Sequence, residues 1–65
     1  MKFALQMEDG SYARAVAWFT ETLPIVTLRV RRIENAMLFN DKNSEEIFQK
    51  NYPNSKFVPV SIKAD

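Results

Sequence analysis

The residue pattern predicts an α+β domain: a small, mostly antiparallel β-sheet in the order β-β-β-β-α-β, with one helix packed on one face. Three observations carry this. Asp9-Gly10 lies between two apolar runs and marks an N-terminal hairpin. Residues 24–30 and 56–62 alternate with period 2, as strands with one packed face do. Residues 43–52 combine acidic residues at their start, a lysine near their end and a closing Pro53, the signature of a short helix.

The hairpin comes first. A type I′ turn needs positive φ at both central residues, which Asp-Gly tolerates. A two-residue loop pairs Met7 with Tyr12, Leu5 with Arg14 and Phe3 with Val16. One face then holds Phe3, Leu5, Met7, Tyr12, Val16 and Trp18; the other holds Ala4, Gln6, Glu8, Ser11, Ala13, Ala15 and Ala17. Arg14 lands on the apolar face between Tyr12 and Trp18. A helix over residues 11–23 competes with this reading. Ser11 can cap it, Tyr12, Val16, Phe19 and Leu23 fall at helical spacing, and Pro24 stops it. The order would then be β-α-β-β-α-β.

In residues 24–30, Val26, Leu28 and Val30 are expected to face inward, with Thr27, Arg29 and Arg31 outward. A turn follows, then a strand at 36–39. Asn43 and Glu46 form a candidate capping pair for the helix, and Ile47, Phe48 and Tyr52 can share one face. The last strand sets Val58, Val60 and Ile62 on one face, and Pro59 marks it as an edge. Phe39, Phe48, Tyr52 and Phe57 are expected in the core.

Sixty-five residues make one domain, 1–65, with a thin stability margin. There is no cysteine and no histidine. That excludes disulfides, thiolate metal sites, Ser-His hydrolysis and cysteine nucleophiles. Self-association remains as a stabilising device, so a homodimer is one expectation. Gly10 is the only glycine, too few for a phosphate-cradling loop. Asp41, Asn43 and Glu45 alternate as a calcium loop begins, but the required glycine is missing and Tyr52 stands where the closing glutamate belongs. No cofactor, no metal and no enzymatic activity are expected. No apolar run approaches the roughly 20 residues of a membrane span. The opening residues lack the long apolar core of a secretory leader, so a cytoplasmic protein is expected.

Charge is uneven. Residues 11–33 hold Arg14, Arg29, Arg31 and Arg32 against Glu21 alone, while all the lysines but Lys2 lie beyond residue 41. Arginine offers a planar donor fork and stacks on aromatic rings, which favours recognition. Arg29 and Arg31 on one strand lie about 7 Å apart, near the phosphate spacing of a nucleic-acid strand. The candidate partner-binding residues are therefore Tyr12, Arg14, Trp18, Arg29, Arg31 and Arg32. Tyr, Trp and Arg are the residue types enriched in interface hot spots. A protein partner is favoured because the net charge is only +1. A nucleic-acid partner, with bases stacked on Tyr12 or Trp18, is the alternative.

In "MEDGSY", "RIENAMLFNDKNSEEIFQKNY" and the closing "KFVPVSI", the chain resembles small phage and prophage proteins of Gram-positive bacteria. The likeness is one of pattern and covers most of the chain. It implies a compact accessory protein that works by binding, modulating or blocking a host enzyme or a defence system.

Overall fold

The computed structural model describes residues 1–61. Its elements follow as β1 (Lys2–Gln6), β2 (Tyr12–Thr20), β3 (Leu23–Val30), a 3₁₀ turn (Ile33–Asn35), β4 (Leu38–Phe39), α1 (Glu45–Asn51) and β5 (Lys56–Val60). This is the expected α+β order, and residues 12–20 are strand, not helix. Every strand pair is antiparallel.

β1 is the centre of the sheet. β5 runs along one edge of it for its whole length, from Lys2↔Val60 to Gln6↔Lys56. The other edge is shared. β2 pairs at one end through Gln6↔Tyr12, and β4 at the other through Phe3↔Phe39 and Ala4↔Leu38. β2 swings away after Tyr12 and spends the rest of its length on β3. The Met37 N–H donates to the Ala13 carbonyl at 3.0 Å, so the approach to β4 enters where β2 departs. The bend has a local cause. Arg14 and Thr27 are passed over in the β2–β3 pairing, and such bulges turn a strand and increase its twist.

The hairpin turns at Asp9-Gly10, but on three residues instead of two. The Met7 N–H donates to the Ser11 carbonyl at 2.7 Å and the Gly10 N–H to the Met7 carbonyl at 3.0 Å. Only Gly10 takes positive φ, at 87°, as in a type I turn closed by a left-handed glycine. Asp9 has another use: its Oδ1 accepts the Ser11 N–H at 2.9 Å and the Ser11 hydroxyl at 2.5 Å. This Asx-type bond draws the carboxylate over the turn.

The extra loop residue corrects the expected register. Tyr12 pairs with Gln6, so Met7 does not face Tyr12 and Leu5 does not face Arg14. A one-residue slip turns every side chain of the strand over. Ala13 therefore joins Leu5, Met7, Phe48 and Phe57 in the core, and Arg14 does not sit on an apolar face between Tyr12 and Trp18. Past the bulge the sense is restored, and Val16 again packs on the core beside its partner Val26. The same irregularity displaces Leu28, which was expected inside and is 54% exposed.

Helix α1 lies on one face. Phe48 is fully buried and meets Trp18 edge-on at 5.5 Å, Phe39 edge-on at 5.6 Å and Phe57 at 6.1 Å. Phe39 and Tyr52 pack against this cluster, so the four expected core aromatics all contribute to it. The helix is shorter than expected. Ser44 is its N-cap and makes no side-chain cap bond, while the Asn43 N–H is taken by Asp41 Oδ1 at 3.0 Å, so the Asn43–Glu46 capping pair does not form. Glu45 instead accepts the Phe57 N–H at 2.8 Å and ties the helix start to β5. At the other end, Asn51 donates to the Thr22 carbonyl at 3.2 Å and the Tyr52 hydroxyl accepts the Val26 N–H at 3.1 Å.

On β5 the core residue is Phe57, so Val58 and Val60 turn to the opposite face by alternation. Ile62, expected with them, lies outside the described residues. Two of the edge strands, β3 and β5, carry a proline. The Val26 N–H points off β3 towards Tyr52, so Pro24, two residues earlier, aims its hydrogen-free nitrogen the same way. Pro59 sits on β5, whose sole strand partner among the described residues is β1.

Candidate functional site

The six candidate residues divide between the two ends of the β2–β3 hairpin. At its base, Tyr12 pairs with Val30 and Ala13 with Arg29, which brings Tyr12, Arg14, Arg29, Arg31 and Arg32 into one neighbourhood. Trp18 stands towards the far end, opposite Pro24. Four residues of strand separate it from Arg14 by about 13 Å, and the two side chains have different neighbours. Trp18 lies against Phe48 and remains 47% exposed, while the Arg14 guanidinium donates to the Asn35 carbonyl at 2.7 Å.

The arginines differ in how far they are engaged. Arg29 stands 3.5 Å from Glu8 and 3.4 Å from Asp9, with its guanidinium 6.0 Å from the Tyr52 ring centre. Arg32 pairs with Glu34 at 3.3 Å. Arg31 is in no ion pair with another described residue. These exposed pairs each contribute well under about 1 kcal/mol, but they cancel charge locally. The Ser11 hydroxyl, then the Ser11 N–H and the Arg29 guanidinium, hold Asp9 below the ordinary carboxylate value, so it stays ionised beside Arg29.

This arrangement is suited to recognition by a few arginines and one aromatic ring. It is poorly suited to gripping a phosphate backbone, because acidic side chains already occupy two of the four guanidinium groups. Among the described residues no group of three His, Cys, Asp or Glu side chains is placed to hold a metal ion, and no helix is long and apolar enough to cross a membrane. An open hollow lined by Met1, Lys2, Val60 and Ser61 offers one side-chain amine and one side-chain hydroxyl, too few convergent side chains to orient a small substrate.

Exposed apolar residues were missed in the pattern. Phe19 is 71% exposed, Leu23 40% and Leu28 54%. A signal for them existed: residues 15–20 and 23–28 carry no charged side chain at all, although strands with one wet face normally do. No family model, no curated protein and no solved structure matches this chain.

Proposed function

We propose that this chain is a small, non-enzymatic, phage-type accessory protein that binds a larger protein in the cytoplasm and modulates or inhibits it. The observation that carries the reading is the β2–β3 hairpin itself. It swings away from the central strand and presents a half-exposed tryptophan towards one end and four arginines with a tyrosine at the other. Trp, Tyr and Arg are the side chains that anchor protein interfaces. The acidic partners of Arg29 and Arg32 favour a protein surface over nucleic acid, since a nucleic-acid site keeps its cations free for phosphate.

The test is affinity capture from a nuclease-treated bacterial lysate, with wild type compared against Arg14→Ala/Trp18→Ala and Arg29→Ala/Arg31→Ala, each checked for folding by circular dichroism. A protein retained by wild type and lost from either variant supports the reading and identifies the target. Capture that vanishes with nuclease treatment overturns it in favour of nucleic-acid binding, which would also weaken steeply with salt.

A further inference from the structure

The outer margins of β3 and β5 are closed to further strands. On β3 the Val26 N–H is taken by the Tyr52 hydroxyl at 3.1 Å, Pro24 has no N–H to offer on the same side, and Asn51 donates to the Thr22 carbonyl at 3.2 Å. On β5 the Phe57 N–H turns from β1 to Glu45 at 2.8 Å, and Pro59, two residues on, has no N–H. Such devices matter because an open strand edge is a template for another strand.

The side of β2 turned away from β3 is different, and the register places its bonding groups. Val26 sends its N–H away from β2, so Val16↔Val26 is a pair without mutual hydrogen bonds. Ala17↔Ile25 and Trp18↔Pro24 follow without a break, so Trp18↔Pro24 is another such pair. The N–H and C=O groups of Val16 and Trp18 therefore point away from β3. The Met37 N–H takes the Ala13 carbonyl, but past that point no strand pairs with β2 on this side among the described residues. Ala17 is exposed, and Trp18 is 47% exposed although its ring rests on Phe48.

We infer, resting on the protein-binding reading above, that this edge of β2 receives an extended segment of the larger partner, which adds to the sheet as a further strand in the opening between β2 and β4. Donors and acceptors alternate along the edge, with those of Val16 and Trp18 about 7 Å apart, a pattern that the main chain of another extended strand matches. Phosphate oxygens accept but cannot donate, so a nucleic-acid backbone matches only the donors. A linear segment also fits better than a second copy. The β2 edge of a second copy comes with the 3₁₀ turn and β4 beside it, since Met37 is bonded to Ala13 where that edge begins. A segment side chain opposite Trp18 lies on the same face, beside the half-exposed indole, and so does the one opposite Val16. Large apolar residues at alternate positions of the segment suit that face.

The probe is a random library of peptides about six residues long, selected on the purified full chain. Selected peptides should carry large apolar residues at alternate positions and bind with a dissociation constant on the order of 100 µM, read by Trp18 fluorescence. Amide hydrogen exchange at Val16 and Trp18 should be fast in the free chain and slow at least about tenfold when peptide saturates it. Methylating the peptide nitrogens that face Val16 and Trp18 should weaken binding at least about tenfold, while methylating the one between them should change little. In a chemically synthesised chain, N-methylation of Trp18 removes a donor that the β2–β3 ladder does not use, so circular dichroism should stay unchanged while peptide binding is lost. Failure to select any peptide overturns the proposal, as do peptides that leave both amides exchanging as in the free chain. Exchange that slows with chain concentration alone overturns it in favour of a second copy. Lysate capture that survives N-methylation of Trp18 but is lost in Arg29→Ala/Arg31→Ala overturns it while the protein-binding reading stands.

Discussion

Phe48 is where the helix meets the sheet, and its removal gives a calculable loss. The ring is fully buried and forms aromatic pairs with Trp18, Phe39 and Phe57 at 5.5, 5.6 and 6.1 Å. Truncating a buried Phe to Ala costs about 3–5 kcal/mol through lost transfer energy and the cavity left behind. Three aromatic partners place this site at the upper end, because each such pair contributes about 0.5–1.5 kcal/mol beyond burial. A 65-residue domain has roughly 3–10 kcal/mol in total. Phe48→Ala should therefore leave a large fraction of the chain unfolded in buffer. Phe48→Leu keeps most of the apolar volume and should cost about 1–2 kcal/mol. Urea denaturation reads both, with circular dichroism for the fold and fluorescence of Trp18, the only tryptophan, for this contact. If Phe48→Ala costs under about 2 kcal/mol, or as little as Phe48→Leu, the ring is not the keystone that its position implies.

Four further outcomes are expected. Gly10→Ala should cost about 1 kcal/mol in the same urea assay and Gly10→Asn less: a Cβ there meets nothing within 4 Å, so only the positive φ is penalised. Tyr52→Phe should cost about 1–2 kcal/mol, because the Val26 N–H loses its acceptor, and amide exchange at Val26 should quicken. Glu45→Ala should cost about 1–2 kcal/mol by freeing the Phe57 N–H on the neighbouring strand, where Glu46→Ala, on an exposed position, should be near neutral. The fourth concerns pH: the folded-state value of Asp9 is depressed, so its contribution is present above the ordinary carboxylate value near 3.8 and disappears as pH falls through the lower folded value. An NMR titration should show the Asp9 carboxylate moving back up towards 3.8 in Ser11→Ala; no movement would remove the Ser11 hydroxyl as the main cause.

Much of the fold is legible in the residues, and the failures have physical reasons. Asp9-Gly10 locates the first turn correctly, and Pro53 closes the helix at the right place. The loop length is not visible, because Asp9 can serve either a two-residue turn or an Asx bond to Ser11, and the second prevails. Nor could the alanines report the slip. Ala13, Ala15 and Ala17 suit a core or a wet face equally, so the pattern of β2 reads almost as well when shifted by one. Leu28 misleads for the reverse reason: it looks like a core residue, and only the passing-over of Thr27 puts it outside. At the candidate site, the clustering of arginines at the hairpin base follows from chain proximity. Their acidic partners do not. Glu8 and Asp9 meet Arg29 across 20 positions or more, a contact that exists only once the register is set.

The place of β1 governs how the chain can be made. Among the described strands, the first in the chain makes its longest pairing with the last, since β1 pairs with β5 from Lys2↔Val60 to Gln6↔Lys56. Pairings between distant residues form slowly, while the β2–β3 hairpin closes locally and early. During translation β1 therefore emerges with both its edges open. It can be joined by β2 and then β4, but the sheet cannot close until Val60 has cleared the ribosome. A chain that stops short of β5 exposes the full hydrogen-bonding edge of its central strand.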